Sequence, residues 1–76
     1  MSEIYDKLQP HQLRVVDEQM ELETKITNLQ LFVNRSDTFK TLESNEKDDL
    51  GEQLTVMKVY NVILKRRIQR FTDNLK

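Results

Sequence analysis

The sequence predicts an all-α protein: an antiparallel two-helix hairpin with a short N-terminal helical arm, assembling into a compact helical homo-oligomer. Three observations support this prediction. The 76 residues include one Gly and one Pro while 33% are charged, which is typical of long helices with little turn chemistry. Apolar residues recur at spacings of three, four and seven along two long segments. A chain of this length also builds only a small core, so association with further copies is a standard remedy.

The N-terminal arm is predicted over residues 1–9. Its apolar residues Ile4, Tyr5 and Leu8 have a spacing that suits one short helical turn. Pro10 then marks the start of a helix. Proline lacks an N–H, and the N–H at the first helical position makes no hydrogen bond within the helix, so nothing is lost there.

Helix one is predicted over residues 10–34, and a connection with one short turn over residues 35–45. Phe39 and Leu42, three apart, are expected to anchor this turn against the end of the hairpin. The main apolar stripe of helix one consists of Val15, Leu22, Ile26, Leu29 and Val33.

Helix two is predicted over residues 46–74, with Ser44 or Asn45 as its N-cap. It carries two apolar stripes, of which the hairpin partner can cover only one. The core-facing stripe consists of Leu50, Leu54, Met57, Leu64, Ile68, Phe71 and Leu75. The surplus row consists of Val56, Tyr60 and Ile63, with Val59 and Val62 between the rows. The surplus row is therefore predicted to form a subunit contact, together with a patch on helix one made of Leu13, Val16 and Met20.

Composition excludes several functional classes. With no cysteine and one histidine, neither a disulfide framework nor a zinc cluster is expected. Glycine-rich phosphate loops and nucleophile motifs are absent from the sequence, so no enzyme, catalytic residue, cofactor or metal is predicted. No apolar run reaches the ~18 residues that span a bilayer, which predicts a soluble, cytoplasmic protein without membrane contact. The net charge of −1 argues against general DNA binding.

Arg67 is the most informative charged residue. It lies four residues after Ile63 and seven after Tyr60, on the line of the surplus row. A guanidinium in a subunit contact needs an anion, since an unpaired desolvated charge is costly. Its partner is either a carboxylate on a neighbouring subunit or a phosphate, which the planar guanidinium fork also fits.

Further candidate ligands lie on helix one. His11 and Arg14 follow Pro10 at a helix start, where free N–H groups and the helix dipole suit an anion. Lys25 and Thr27 lie off the main stripe, where an exposed lysine and a solvent-facing threonine are equally ordinary. Tyr5 and Tyr60 are candidate stacking rings, although Tyr60 also suits the core and Tyr5 also suits pinning the arm.

These residues form an ordered pattern from about His11 to Phe71. The pattern reads His11-x-x-Arg14-Val15-Val16-x-Glu18-x-x-x-Leu22, then Lys25, Leu29, Phe39-x-x-Leu42, Leu50-x-x-x-Leu54-x-x-Met57-x-x-Tyr60-x-x-Ile63-Leu64-x-x-Arg67-Ile68-x-x-Phe71. It resembles a family of small bacteriophage proteins that includes the second type of anti-CBASS protein, a cyclic-oligonucleotide sponge.

The resemblance implies a helical homohexamer that sequesters cyclic nucleotide messengers of a bacterial immune system, uncleaved, in the cytoplasm of the infected host. It implies that cyclic dinucleotides lie between protomers near the start of helix one. Their ligands carry over to Lys25 and Thr27, with Arg14 nearby. Relatives have an aromatic ring near the first Arg-Val pair, where this chain has Pro10 and His11, so His11 or Tyr5 is expected to stack on the base.

Cyclic trinucleotides occupy separate pockets around three-fold axes in the family. The resemblance implies that Arg67, with His11, contributes to such a pocket here.

Two other hypotheses are also compatible with the sequence. A helical interaction module could bind a host protein through its exposed apolar stripe, and such a chain would be monomeric or dimeric rather than a closed hexamer. A nucleic-acid-binding hairpin could use the cations between Lys65 and Arg70, and its binding would depend strongly on salt.

Overall fold

The structure is a computed structural model that describes residues 3–75, with side chains from Tyr5 onward. Its helices are α1 (Glu3–Asp6), α2 (Pro10–Arg35), α3 (Asp37–Lys40) and α4 (Ser44–Asp73). Residues 3–75 contain no strand, which confirms the all-α class. The side chain of Ile4, which the sequence groups with Tyr5 and Leu8, lies outside the described side chains.

The long helices α2 and α4 pack against each other along an antiparallel hairpin. Near the middle of the hairpin, Gln19 and Glu23 contact Asn61, and Glu23 also contacts Lys65. The molecule measures 50 × 20 × 16 Å and has a radius of gyration of 16.2 Å. A compact domain of this length has a radius of about 11 Å, so the hairpin is an elongated rod with a high share of surface.

The core is a single seam between the two long helices. Its fully enclosed centre is Leu64, with an exposed fraction of 0%. Val15 and Leu22 of α2 complete the buried cluster. The partly buried residues packed against this cluster are Ile26, Met57, Ile68 and Phe71. Most of the core-facing stripes predicted from the apolar period therefore meet each other across the hairpin. Leu75 is the exception: it was predicted to face the core but is 37% exposed, because it lies beyond the end of α4.

The start of α2 is fixed by local hydrogen bonds. Gln9 is the N-cap, and Pro10 occupies the first helical position, where its fixed φ suits the helix. The Gln9 backbone N–H donates to Oε1 of Gln12 at 2.9 Å, which satisfies one of the donors that a helix start leaves free. Leu8, just before the cap, is buried and ties the arm to the hairpin.

The turn between the long helices is capped by Ser36. Its hydroxyl accepts the N–H groups of Thr38 at 3.1 Å and Phe39 at 3.4 Å, which starts α3. The Phe39 ring lies edge-on to Phe32 with 5.9 Å between ring centroids, and the Lys47 ammonium lies 5.9 Å from the Phe39 ring. Phe39 therefore joins the ends of both long helices to the turn.

The expectation that Ser44 or Asn45 caps α4 is wrong. The N-cap is Glu43, whose backbone is extended and whose carbonyl accepts the Lys47 N–H at 3.0 Å. Ser44 and Asn45 are already inside the first helical turn, because the chain enters the helix one residue earlier than the cap residue types indicate. Glu43 makes no side-chain hydrogen bond as a cap.

Candidate functional site

The surplus row on α4 is exposed in the folded chain. The exposed fractions are 61% for Val56, 40% for Tyr60 and 37% for Ile63. Val59 and Val62 are exposed as well. These positions turn away from α2 because they lie between the core positions in the helical period. We call Val56, Val59, Tyr60 and Ile63 the outward row of α4.

The apolar patch predicted on α2 is only partly free. Leu13 and Met20 are exposed, Met20 by 61%, whereas Val16 is 9% exposed and is covered by the chain itself. Leu31, which sequence reasoning missed, is also exposed. Its position 11 residues after Met20, on the same helix face, is the signal that could have found it.

Arg67 continues the outward row one turn beyond Ile63 and is exposed. Within the part of the chain whose side chains are described, no carboxylate pairs with it. Arg70, its neighbour on the helix surface, and Arg66, which points to another side of the helix, are also exposed and unpaired there. This end of α4 therefore presents several free guanidinium groups beside an apolar surface.

The start of α2 offers few backbone donors to an anion. Pro10 has no N–H, and the N–H groups of Gln12 and Leu13 both donate to the Gln9 carbonyl, at 2.9 and 3.0 Å. Among the first residues of α2, the N–H of His11 remains without such a bond. An anion at this helix end therefore has to be held mainly by side chains.

Arg14 and Lys25 share one side of α2, because their separation of 11 residues is close to three full turns. Both are exposed. Thr27 is different: two residues from Lys25, it points about 200° away around the helix. Its hydroxyl donates to the Glu23 carbonyl at 3.1 Å, so its proton is engaged by its own helix. One chain thus does not bring Lys25 and Thr27 to the same surface.

Tyr5 lies over an open groove of about 400 Å³ between the two long helices. Val16 and Met20 line it from α2, and Lys65 and Ile68 from α4. The groove lies on the opposite side of α2 from Lys25, so Tyr5 and Lys25 of one chain do not converge.

A polar cluster between α2 and α4 was missed by sequence reasoning. Asn61 is 8% exposed; its amide N–H donates to Oε2 of Glu23 at 2.5 Å, and its Oδ1 accepts from Gln19 at 3.2 Å. Lys65 approaches the other Glu23 oxygen at 3.6 Å. An asparagine between the core positions Met57 and Leu64 was the available signal, since a polar residue on a core stripe requires partners.

The described residues also bear on metal binding and on membrane insertion. They contain no group of three or more His, Cys, Asp or Glu that could hold a metal ion. None of the helices in this part of the chain is both long and apolar enough to cross a bilayer.

The chain matches the model of a known protein family. The family model described as Sequestin matches residues 9–70, which is most of the chain. The chain belongs to the sequestin family. Sequestins are phage anti-CBASS cyclic-nucleotide sponges, so the family inferred from the sequence pattern is confirmed. No curated protein and no solved structure matches the chain.

The matched sequestin region contains nearly all of the sequence-predicted site residues. His11, Lys25 and Arg67 lie within it, whereas Tyr5 lies before its start. As a sequestin, the protein has a general role as a sponge against a host defence, that is, as a binding protein.

Proposed function

We propose that this protein is a hexameric sponge that binds cyclic di- and trinucleotides, cGAMP among them, and holds them without cleavage in the cytoplasm of the infected bacterium. The observation that carries the proposal is the free guanidinium of Arg67 at the end of an exposed apolar row. Arginine matches phosphate with its planar fork, and several copies converging on one axis concentrate positive charge without a basic protein overall.

Cyclic dinucleotides are assigned to the start of α2. Lys25 and Arg14 supply cations on one side of the helix, and His11 supplies a ring at its end. Thr27 and Tyr5 face the other side, so they complete such a pocket only when they come from a neighbouring protomer. The angular positions of these side chains therefore support a pocket shared between protomers.

An assembly larger than a dimer is favoured by two separate exposed surfaces. The outward row lies on α4, and a second exposed line on α2 contains Leu13, Met20 and Leu31. A dimer with one two-fold interface covers one such surface per chain and leaves the other in water. The chain exposes 5876 Å², about 1,000 Å² more than a compact monomer of its mass, which provides ample area for both contacts.

Binding without turnover fits the chemistry of the described surface. Phosphodiester hydrolysis needs an activated nucleophile or a metal-bound water held in a shielded site. The arginine and lysine side chains assigned here hold bound phosphates through charge and hydrogen bonds, and they bring neither a metal-bound water nor an activated nucleophile to them. Bound ligand therefore remains intact.

Isothermal titration of the protein with a panel of cyclic di- and trinucleotides tests the proposal. We expect binding of at least one member of each class at micromolar protein, and intact ligand after the complex is denatured. The absence of any binding would refute the sponge, and recovery of linear products would show a hydrolase.

Two alanine variants separate the proposed pockets. Arg67→Ala is expected to weaken trinucleotide binding by about tenfold or more, the loss typical of removing a charge-assisted pair, while sparing dinucleotides. Lys25→Ala is expected to do the reverse. Arg66→Ala, one residue from Arg67 but on another part of the helix surface, is the matched control. Equal losses of both ligands in both variants would contradict the two-pocket proposal.

Light scattering distinguishes the hexamer from an interaction module. A closed hexamer gives one mass that does not change on dilution through the micromolar range, whereas a monomer or dimer would favour the alternative hypothesis of a host-protein partner.

A further inference from the structure

The charges beside the outward row are arranged with opposite signs at its two ends. Asp49 and Glu52 precede the row, and Arg67 and Arg70 follow it. By the helical period, all four point within about 60° of the direction of Ile63, so they share one face of α4 with the row. All four are exposed, and within the side chains described none of them forms an ion pair.

Apolar and charged residues are spaced symmetrically about the middle of this face, with acids at one end where the other end has arginines. The point midway between Val59 and Tyr60 is equally far from Val56 and Ile63. It is also equally far from Glu52 and Arg67, and from Asp49 and Arg70. A helix face with this symmetry is complementary to itself when two copies lie antiparallel.

We propose that α4 packs antiparallel against α4 of a second copy, with a two-fold axis between Val59 and Tyr60. Val59 then faces Tyr60 of the second copy, and Val56 faces its Ile63. Glu52 and Asp49 face its Arg67 and Arg70, and the symmetry doubles each pairing. The apolar residues lie at the centre of the contact and the charges at its rim, which is the usual arrangement in protein interfaces.

A shallow groove on α4 supports this register. It has a volume of about 400 Å³, and its lining includes Asp49, Glu52, Val56 and Met57. In the proposed pairing, Ile63 of the second copy lies against the apolar part of the groove, and Arg67 of the second copy lies against the acidic part. The acidic and apolar parts of the groove lining therefore agree with the same occupant.

Other pairings of two α4 helices are less favourable. A parallel pair places the arginines of both copies side by side and the acids side by side, and like charges in contact oppose association. An antiparallel pair can also be shifted along the helix by seven residues, about two turns. A shift one way places Arg70 against Val56 of the other copy, and a shift the other way places Asp49 against Ile63. Each shift removes both charge pairs and leaves charges against apolar side chains.

The pairing is compatible with nucleotide binding by Arg67 but does not depend on it. A guanidinium has five N–H donors, so Glu52 of the second copy can engage one edge while another edge stays available to a phosphate. The contact forms between free proteins, and its test is therefore carried out without nucleotide.

The charge pair outside the proposed nucleotide pocket gives the cleanest test. Asp49→Arg and Arg70→Asp are each expected to weaken self-association about tenfold or more in sedimentation velocity, because each creates two symmetric like-charge contacts. The double variant is expected to restore association to within about threefold of the original, since it reverses both partners of each pair. Lys58→Asp changes the charge as much as Arg70→Asp on another side of α4, and should leave association unchanged.

Failure of the double variant to recover, when circular dichroism shows that it remains helical, would overturn the register. So would an equal loss of association in Lys58→Asp. Nucleotide titration is a separate measurement, so loss of this proposal would leave the proposed function standing, and the reverse also holds.

Crosslinking provides a second test that requires no change in affinity. The sequence contains no cysteine, so a single introduced thiol is unique. Val59→Cys places two thiols beside the two-fold axis, and a short bismaleimide should join them in high yield. Asp48→Cys places its thiols about 35 Å apart along the antiparallel helices, beyond the reach of the reagent. Efficient crosslinking at both positions would indicate a parallel pair, and none at position 59 would exclude the contact.

Discussion

The two apolar faces of α4 are made from similar residues, but only one of them is buried. Leu54 and Leu64 on the core-facing side are buried against α2, whereas Val56 and Tyr60 on the outward side remain exposed. Side-chain chemistry does not distinguish the faces, because both contain large apolar groups. The difference arises from coverage: one hairpin partner covers one face of a helix and leaves the other. The core-facing side therefore determines whether the chain folds, and we infer that the outward side determines how chains associate.

The largest expected effect comes from opening the core-facing side. Leu64→Ala is expected to lower the free energy of unfolding by about 3–5 kcal/mol, because Leu64 is fully enclosed and its removal leaves a cavity. Urea unfolding at constant protein concentration measures the change. Val62→Ala removes an aliphatic side chain from an exposed position of the same helix and should cost less than about 0.5 kcal/mol by this route. Comparable losses in the two variants would remove the distinction between the faces.

The next effect separates assembly from folding. Tyr60→Asp puts a carboxylate in the middle of the outward row, and we expect it to cost about 2 kcal/mol or more of association free energy. The helical circular dichroism signal should persist while the mass from light scattering falls. Tyr60→Phe keeps the ring and is the matched control. A retained mass in Tyr60→Asp would show that the outward row is not a subunit contact.

A smaller effect is expected at the edge of the core-facing side, where Asn61 donates to Glu23. Asn61→Asp replaces this hydrogen bond with two adjacent carboxylates, and should lower the free energy of unfolding by about 1–3 kcal/mol at neutral pH. Glu23→Gln removes the opposing charge, so most of the loss should disappear in the double variant. A cycle of the two single variants and the double variant measures the coupling. Strict additivity would mean that the two side chains do not interact.

The smallest change in stability is expected at a position that belongs to neither apolar face of α4. Gly51 lies inside α4, and a Cβ added there meets no atom within 4 Å. Gly51→Ala should therefore stabilise the protein by about 0.5–1 kcal/mol, since alanine restricts the unfolded chain and favours the helix. Thermal unfolding should show a small rise in Tm with no change in mass. A fall in Tm would indicate that another copy approaches Gly51 closely.

The hairpin could be predicted from the sequence because its signals are local and periodic. Val15 and Leu22 on one helix and Leu64 and Ile68 on the other repeat with the period of an α-helix, and they meet in the structure. The N-cap of α4 could not be predicted in the same way. Glu43, Ser44 and Asn45 are consecutive, and residue preference alone did not decide which of them precedes the first turn.

The candidate site could be predicted only in part from the sequence. The assignment of Lys25 and Arg67 as nucleotide ligands came from the family pattern, and the match over residues 9–70 confirms that family. The pattern did not show that Thr27 and Lys25 face different ways, or that the chain covers Val16 but leaves Leu31 exposed. These facts depend on how α2 is rotated about its own axis against α4, which adjacent residue types do not reveal.

By itself the sequence determined the helical class, the two stripes on α4 and the membership of a sponge family, because helical period and an ordered motif are readable along one chain. Only the tertiary structure decided which stripe is covered, that Asn61 is buried with Glu23 as its partner, and that the outward charges remain unpaired within the described chain. Coverage and pairing depend on the relative placement of residues far apart in the chain, and packing of α2 against α4 sets that placement.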